Sequence, residues 1–296
     1  MKILIAGSSG LVGSELTKKL KMMGHEVLRL VRKKESPVGI YWNPLTGEVD
    51  RDRLEGIDVV INLAGENISN GRWTASKKKK IWDSRVLGTQ NLSRTLSLLD
   101  NPPKVLINAS AIGYYGDTGE TQVTEGDTPG NSFLSKVCQE WEKATELAEQ
   151  KGIRVVKLRI GVVLSPKGGA LQKMLLPFKM CVGGKIGSGN QYMSWISLKD
   201  LVSIICFCID NDNAAGPINA VAPCAVTNLE FTKTLGKVLK RPTFFPLPAF
   251  VARFLLGEMA DELLLRGTRV LPEKLNELEY NYADSDLEGA LQKMLS

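Results

Sequence analysis

Short, nearly continuous apolar runs alternate with longer amphipathic stretches over the first two thirds of the chain. Apolar runs of this length, without polar alternation, are typical of strands that are buried on both faces of a parallel sheet. They predict strands at 2–6, 26–31, 57–63, 104–109 and 154–160. The amphipathic stretches predict helices at 11–23, 73–99, 132–150 and 198–210. The alternation predicts an α/β protein with a doubly wound parallel sheet of the Rossmann type.

The pattern changes after Pro217, where strand-like runs give way to helical spacing. Helices are predicted at 227–240, 247–256 and 258–267, interrupted by Pro242, Pro246 and Pro248. Their apolar positions indicate a small second core against the main domain. We therefore predict a dinucleotide-binding domain at 1–220 and a helical C-terminal segment at 221–296 that packs on the substrate cleft.

A glycine-rich turn joins the first predicted strand to the first predicted helix, with Gly7, Gly10 and Gly13 spaced three apart. Gly7 would allow the turn, Gly10 would let a phosphate approach the backbone, and Gly13 would let the helix pack on the strand. The strand–turn–helix context favours a pyrophosphate site over a purely structural turn. The predicted cofactor contacts are these glycines with Ser9, Leu11 and Val12.

The end of the second predicted strand indicates which dinucleotide binds. An NAD site usually places Asp or Glu here, whereas this chain has Arg32, followed by two lysines. Because a guanidinium can bind a phosphate bidentately, Arg32 predicts NADP(H). The alternative is a solvated strand end.

The segment after the third predicted strand supplies further cofactor contacts. Leu63, Ala64 and Gly65 would allow close approach of an adenine or a ribose. Glu66 and Asn67 would face the crevice near the nicotinamide, although either side chain could simply cap the loop.

Charge and cysteine content argue against metal binding and nucleic-acid binding. The net charge is +6, and its one dense cluster is the lysine run 77–80. We interpret this run as a solvated helix face rather than a nucleic-acid patch. Five cysteines without metal-ligand spacing and a single histidine predict no metal site. Buried thiols at Cys206 and Cys208, with no signal peptide and no long apolar span, predict a cytoplasmic protein without membrane or nucleic-acid partners.

With the glycine turn, residues 62–65 and 109–116 resemble the extended short-chain dehydrogenases/reductases, which include the nucleotide-sugar epimerases. Segments 159–164 and 195–201 look like later landmarks of that superfamily. Segments 62–68 and 187–191, with the C-terminal helices, resemble its atypical "epimerase family" branch. The resemblance covers essentially the whole chain.

The resemblance implies a catalytic Ser, Tyr and Lys, of which the Tyr is missing. Ser110 matches the Ser that polarises the carbonyl, and Lys136 matches the Lys that holds the nicotinamide ribose. Ser132 occupies the position of the Tyr, and no tyrosine of the chain is followed by Lys four residues later. We predict that Tyr115, or its neighbour Tyr114, transfers the proton. The alternative is a packing or binding role.

Analogy places the substrate between the carboxyl ends of the strands and the C-terminal segment, beside the loop at 111–130. The predicted substrate contacts are Tyr114, Gln191, Tyr192 and Trp195, the last being equally compatible with the core. We expect an NADP(H)-dependent oxidoreductase or epimerase-like enzyme that acts on a small carbonyl or sugar-type substrate. The alternative is a non-catalytic NADP(H)-binding sensor or scaffold with a protein partner. Monomer and homodimer both remain open.

Overall fold

The computed structural model describes residues 1–34 and 39–296, and in them seven parallel strands form a central sheet. The strands of the chain are β1 Lys2–Ala6, β2 Glu26–Val31, β3 Ile40–Tyr41, β4 Val59–Asn62, β5 Val105–Ala111, β6 Gln122–Val123, β7 Arg154–Ile160, β8 Val162–Leu164, β9 Tyr192–Met193, β10 Trp195–Ser197, β11 Gly216–Ala220, β12 Val226–Thr227 and β13 Arg269–Val270. The order in the central sheet is β11-β7-β5-β4-β1-β2-β3. The sequence prediction of a Rossmann-type sheet is confirmed.

The strand order reverses between β1 and β4, which creates the crevice where such folds bind ligands. Both strands run parallel and in register, and Ala6 pairs with Asn62 at their carboxyl ends. The glycine turn after β1 and the loop after β4 therefore start side by side.

Helices cover both faces of this sheet. They are α1 Leu11–Met22, α2 Ala75–Ser97, α3 Phe133–Lys143, α4 Glu146–Gln150, α5 Gly169–Lys179, α6 Leu198–Asp210, α7 Asn228–Leu239, α8 Ala249–Leu256, α9 Glu258–Ala260, α10 Glu273–Glu277 and α11 Leu287–Leu295. One core packs α1 and α6 on the sheet, and another packs α2 and α4 on the opposite face. Cys206 and Cys208 are buried in the first core, as predicted.

Some predicted elements differ from the observed ones. The predicted helix at 132–150 is interrupted after Lys143 and forms α3 and α4. The predicted helix at 258–267 is only α9, followed by a π-helical turn at Asp261–Leu265. Strand β11 and helices α5 and α11 were not predicted. Helix α5 carries Pro177 in its interior, which weakens its sequence signal.

A third core joins elements on both sides of residue 220. Leu164 and Trp195, from β8 and β10, pack with Phe231 of α7 and Leu291 of α11. Among the described residues there are also three two-stranded sheets, in which β8 pairs with β10, β9 with β12, and β6 with β13. Val123 of β6 and Val270 of β13 pack in a separate small core. In the described part of the chain, no helix combines the length and the apolar character needed to cross a membrane.

Candidate functional site

The glycine turn brings three backbone segments into close contact. Gly7 has a φ of +79°, and a Cβ there would lie 2.7 Å from the carbonyl oxygen of Leu63. A Cβ on Gly13 would lie 2.2 Å from the carbonyl oxygen of Gly7. Both positions therefore require glycine, because β1, α1 and the loop after β4 meet there without room for a side chain.

Gly10 faces an open space. A Cβ there would meet only the carbonyl oxygen of Gly7, at 3.4 Å, and Gly10 has an ordinary φ of −74°. Among residues 1–34 and 39–296, no side chain caps the first turn of α1 and no acidic residue lies in it. The N–H groups of Leu11 and Val12 therefore point from the positive end of the helix into this space, as anion binding requires.

A buried amide network fixes the end of β4. Asn62 Nδ2 donates to Thr89 Oγ1 at 2.9 Å and to Asn108 Oδ1 at 2.7 Å, and Trp141 Nε1 also donates to Thr89. Asn62 Oδ1 in turn accepts from the N–H of Ala64 at 3.3 Å. The loop that would face the cofactor is thus held by polar contacts from β5, α2 and α3.

Glu66 and Arg85 shape the same loop. Lys77 Nζ donates to Glu66 Oε1 at 2.6 Å, and this hydrogen bond lowers the pKa of Glu66. Arg85 Nη1 donates to the Glu66 carbonyl oxygen at 3.0 Å, and its guanidinium lies directly behind Gly65. Burial lowers the pKa of Arg85. Arg85 therefore places a half-buried cation beside the expected cofactor cleft, which the sequence pattern did not reveal.

Arg32 lies directly after β2 and is exposed. Within the described part of the chain its guanidinium has no carboxylate partner. Its position at the carboxyl end of β2, next to β1, is where the ribose of the adenosine binds in this fold class.

Ser110, the predicted polariser, lies in a buried ion-pair network. Its Oγ donates to Glu142 Oε1 at 2.7 Å, and the residue is buried, with 2% exposure. Arg159 Nε and Nη2 donate to the two oxygens of Glu142 at 2.8 and 2.9 Å. Burial by itself would lower the pKa of Arg159. The hydrogen bonds to Glu142 and its negative charge have the larger combined effect, so the pKa of Arg159 is raised. Ser110 therefore lacks the exposure that contact with a carbonyl substrate needs.

Tyr115, the predicted proton donor, belongs to the same network and is 3% exposed. Its hydroxyl donates to Asn219 Oδ1 at 2.7 Å and accepts from Arg159 Nη1 at 2.8 Å. Burial raises the pKa of Tyr115 to about 12. The geometry contradicts proton transfer by Tyr115, because its hydroxyl is enclosed and both of its hydrogen-bonding functions are used.

Ser132, at the position of the missing Tyr, caps helix α3. Ser132 Oγ accepts from the N–H of Ser135 at 3.2 Å and donates to Glu262 Oε2 at 2.8 Å. The carboxylate of Glu262 also pairs with Arg266. Lys136 is exposed in the first turns of α3, and its N–H donates to the Ser132 carbonyl oxygen. Glu262 thus places a carboxylate beside the motif position, and only the tertiary structure brings it there.

The predicted substrate contacts lie in different environments. Trp195 is fully buried and its Nε1 donates to the Cys224 carbonyl oxygen, so the substrate prediction for Trp195 is wrong and the core alternative holds. Gln191 Nε2 donates to two carbonyl oxygens, those of Ile186 and Leu264, and this fixes its orientation.

The two tyrosines among these contacts are half-buried and stack with arginines. The Arg159 guanidinium carbon lies 3.5 Å from the ring centroid of Tyr114. The Arg269 guanidinium carbon lies 4.8 Å from that of Tyr192. Tyr114 and Tyr192 therefore keep partial exposure and remain candidates for walls of a substrate pocket.

The lysine run 77–80 is largely neutralised within the described residues. The ion pairs are Lys77 with Glu66, Lys78 with Glu258 and Lys79 with Asp83. The ion pair between Lys78 and Glu258 joins α2 to the C-terminal segment, so this lysine has a structural role. In residues 1–34 and 39–296 no cluster of metal-ligating side chains occurs.

Comparison with known families identifies the chain. The "NAD dependent epimerase/dehydratase family" matches residues 3–221. The chain belongs to this family. Residues 247–294 match "Domain of unknown function (DUF1731)", which covers most of the segment that we predicted to be helical.

Several family members are similar over nearly their whole length. An epimerase family protein of Mycobacterium tuberculosis is 44% identical over 98% of this chain and 96% of its own. The human epimerase family protein SDR39U1 is 36% identical, with all of both chains covered. The resemblance stated from the sequence is confirmed.

Solved structures of other proteins share the fold. The crystal structure of human SDR39U1 with NADPH matches with a TM-score of 0.90 at 34% identity, and 99% of each chain is covered. A UDP-N-acetylglucosamine 4-epimerase from Bacillus cereus matches with a TM-score of 0.76 at 18% identity over 99% of this chain and 98% of its own. This second likeness shows the fold alone.

Proposed function

We propose that the protein is an NADP(H)-dependent oxidoreductase or epimerase-like enzyme that acts on a small carbonyl or sugar-type substrate. The observation that carries this proposal is the uncapped N-terminus of α1, with open space in front of Gly10. The NADPH in the human relative's structure supports the choice of cofactor.

The residues present fit this cofactor. The pyrophosphate would lie on the N–H groups of Leu11 and Val12, where the positive end of the helix attracts it. Leu63, Ala64 and Gly65 would contact the adenosine, and Arg32 would bind the 2′-phosphate. Ser9 would face the same phosphates from the exposed turn.

The bound cofactor would supply hydride transfer, and the chain must supply proton transfer and orientation. Ser132 is the hydroxyl at the motif position, and its proton already points to Glu262 Oε2. When a substrate alcohol is oxidised, its proton would pass to Ser132 Oγ while the Ser132 proton passes to Glu262. The reverse transfers would accompany carbonyl reduction. Lys136 would hold the nicotinamide ribose.

The first experiment is a calorimetric titration of the purified protein with NADPH and NADH side by side. We expect NADPH to bind more tightly, because only NADPH carries the phosphate that Arg32 would bind. A screen of small aldehydes, ketones and nucleotide sugars, followed by NADPH absorbance, then tests turnover. Binding of neither dinucleotide would refute the proposal.

The enclosed positions of Ser110 and Tyr115 favour a second candidate, a non-catalytic NADP(H)-binding sensor or scaffold. This candidate predicts the same preference for NADPH, together with a protein partner and no turnover of any substrate in the screen. Turnover that Glu262→Gln abolishes, while NADPH affinity is unchanged, would decide for the enzyme.

A further inference from the structure

The C-terminal segment, together with α5 and the residues after it, exposes large apolar side chains that the proposed function does not use. Four of the chain's eight phenylalanines protrude there, with exposures of 60–82%. We call this surface the phenylalanine face. It consists of Phe244, Phe245, Phe250, Phe254, Leu255, Leu176, Met180 and Val182. Apolar patches on soluble monomers are usually small, and a larger one marks an interaction site.

Backbone contacts make this face continuous. The N–H of Leu247 donates to the Lys185 carbonyl oxygen at 2.8 Å, and the N–H of Gly187 donates to the Leu247 carbonyl oxygen at 2.9 Å. Gly184 lies against the backbone of Phe245 so closely that a Cβ would not fit. The segment after α5 and the loop before α8 therefore form one surface. The start of α8 lies beside the same segment, because a Cβ on Gly187 would be 3.8 Å from Ala249 Cβ. Phe250 and Phe254 are both exposed and share one side of α8.

Positive charge borders the phenylalanine face. Lys179 precedes Met180, and Lys240 and Arg241 precede the loop that carries Phe244. All three basic residues are exposed, and none forms an ion pair with a carboxylate of the described chain. The nearby Arg253, by contrast, pairs with Asp261 at 2.9 Å. The phenylalanine face thus combines exposed apolar side chains with basic side chains that have no carboxylate partner in the described chain.

We propose that the phenylalanine face docks on an anionic lipid surface. Phenylalanine and leucine are the side chains that membrane-surface segments bury at the boundary between headgroups and acyl chains, with lysine and arginine beside them. The basic border complements anionic headgroups. A symmetric contact between two copies would instead bring the same cations together. This proposal concerns surface binding and revises the expectation that no membrane partner exists.

The test is co-sedimentation of the full chain with phosphatidylcholine vesicles that contain about one third phosphatidylglycerol. We expect binding to these vesicles, weaker binding at high salt, and little binding to pure phosphatidylcholine. The double variant Phe244→Ser/Phe245→Ser should lower the partition coefficient at least about tenfold. The double variant Lys240→Gln/Arg241→Gln should lower it about fivefold for each charge removed.

The matched control is Leu45→Ser/Leu98→Ser, which removes two exposed leucines outside the face and should bind vesicles like the wild type. Circular dichroism and the unfolding midpoint should be unchanged in all three variants, because every altered side chain is exposed. Absence of vesicle binding, equal binding to neutral vesicles, or full binding by the phenylalanine variant would overturn the proposal. A dimer in sedimentation equilibrium that this variant dissociates, without vesicle binding, would assign the face to self-association instead.

Discussion

Ser132 Oγ donates a hydrogen bond to Glu262 Oε2 at 2.8 Å and so joins the start of α3 to the C-terminal segment. The two residues are 130 positions apart in the chain. The N–H of Leu134 also approaches the same carboxylate oxygen, at 3.4 Å. This contact places a carboxylate at the N-terminus of α3, where the helix dipole stabilises negative charge.

Ser132 and Glu262 should be coupled in their contributions to the free energy of unfolding. In a double-mutant cycle with Ser132→Ala and Glu262→Gln, we expect a coupling free energy of about 1–3 kcal/mol, because the hydrogen bond involves a charged, half-buried group. Urea unfolding of the four proteins measures it. A control cycle on the exposed pair Lys237 and Glu288 should give under about 1 kcal/mol. Additive effects of the two substitutions would show that the contact contributes nothing.

Gly10→Val should abolish NADPH binding and leave the fold intact. The added side chain would occupy the open space before Leu11 and Val12, whereas the φ of Gly10 suits any residue. Calorimetric titration measures the affinity, and thermal unfolding checks the fold. Gly126→Val, in an exposed loop with open space around it, is the control and should bind normally. Unchanged affinity of the Gly10 variant would disprove the pyrophosphate site.

Arg32→Glu should weaken NADPH binding roughly 10- to 100-fold, because a charge-assisted hydrogen bond is replaced by repulsion of the 2′-phosphate. NADH binding should change little. Arg51→Glu makes the same charge change at another exposed position and should leave both affinities alone. Equal losses for NADPH and NADH would contradict the role of Arg32.

Tyr115→Phe should destabilise the protein by about 1–3 kcal/mol without altering NADPH affinity. Removal of the hydroxyl leaves Arg159 Nη1 and Asn219 Oδ1 without one buried partner each. Urea unfolding measures the loss. Tyr41→Phe, whose hydroxyl has only a long hydrogen bond at the surface, should change stability far less. An unchanged free energy of unfolding would contradict this prediction, because it would show that the buried network is equally stable without the Tyr115 hydroxyl.

The raised pKa of Tyr115 predicts a pH dependence on the alkaline side. The folded pKa of about 12 lies above the unfolded value of about 10. The contribution of Tyr115 is therefore complete below pH 10 and is lost as the pH rises toward 12, since the unfolded chain releases its proton first. Tyr115→Phe should lose stability less steeply than the wild type over this window. Parallel curves would refute the shifted pKa.

The order of the elements could be predicted where the signal was local. Strands β1, β2 and β4 are short apolar runs with turn residues beside them, and their positions match the sequence prediction. The sequence does not predict helix α5 because Gly168 and Gly169 lie at its start and Pro177 lies inside it. The short β11 carries Gly216 and Pro217, both uncommon inside strands, so its pattern resembled a loop.

The sequence by itself determined the glycine turn on which the proposed cofactor site rests. The strand, the glycine turn and the helix start lie within thirteen consecutive residues, so their geometry follows from local backbone preferences and close packing. Arg32 could likewise be placed, because the end of a parallel strand adjacent to β1 must lie at the same edge of the sheet.

Only the tertiary structure decided the surroundings of the residues that were predicted to act on the substrate. Ser110, Tyr115 and Trp195 are buried, and burial depends on packing between elements far apart in the chain. Tyr115 and Asn219 are separated by 104 positions, and Ser132 and Glu262 by 130. Residue spacing along the chain contains no signal for such contacts, because the fold rather than the local backbone brings the side chains together.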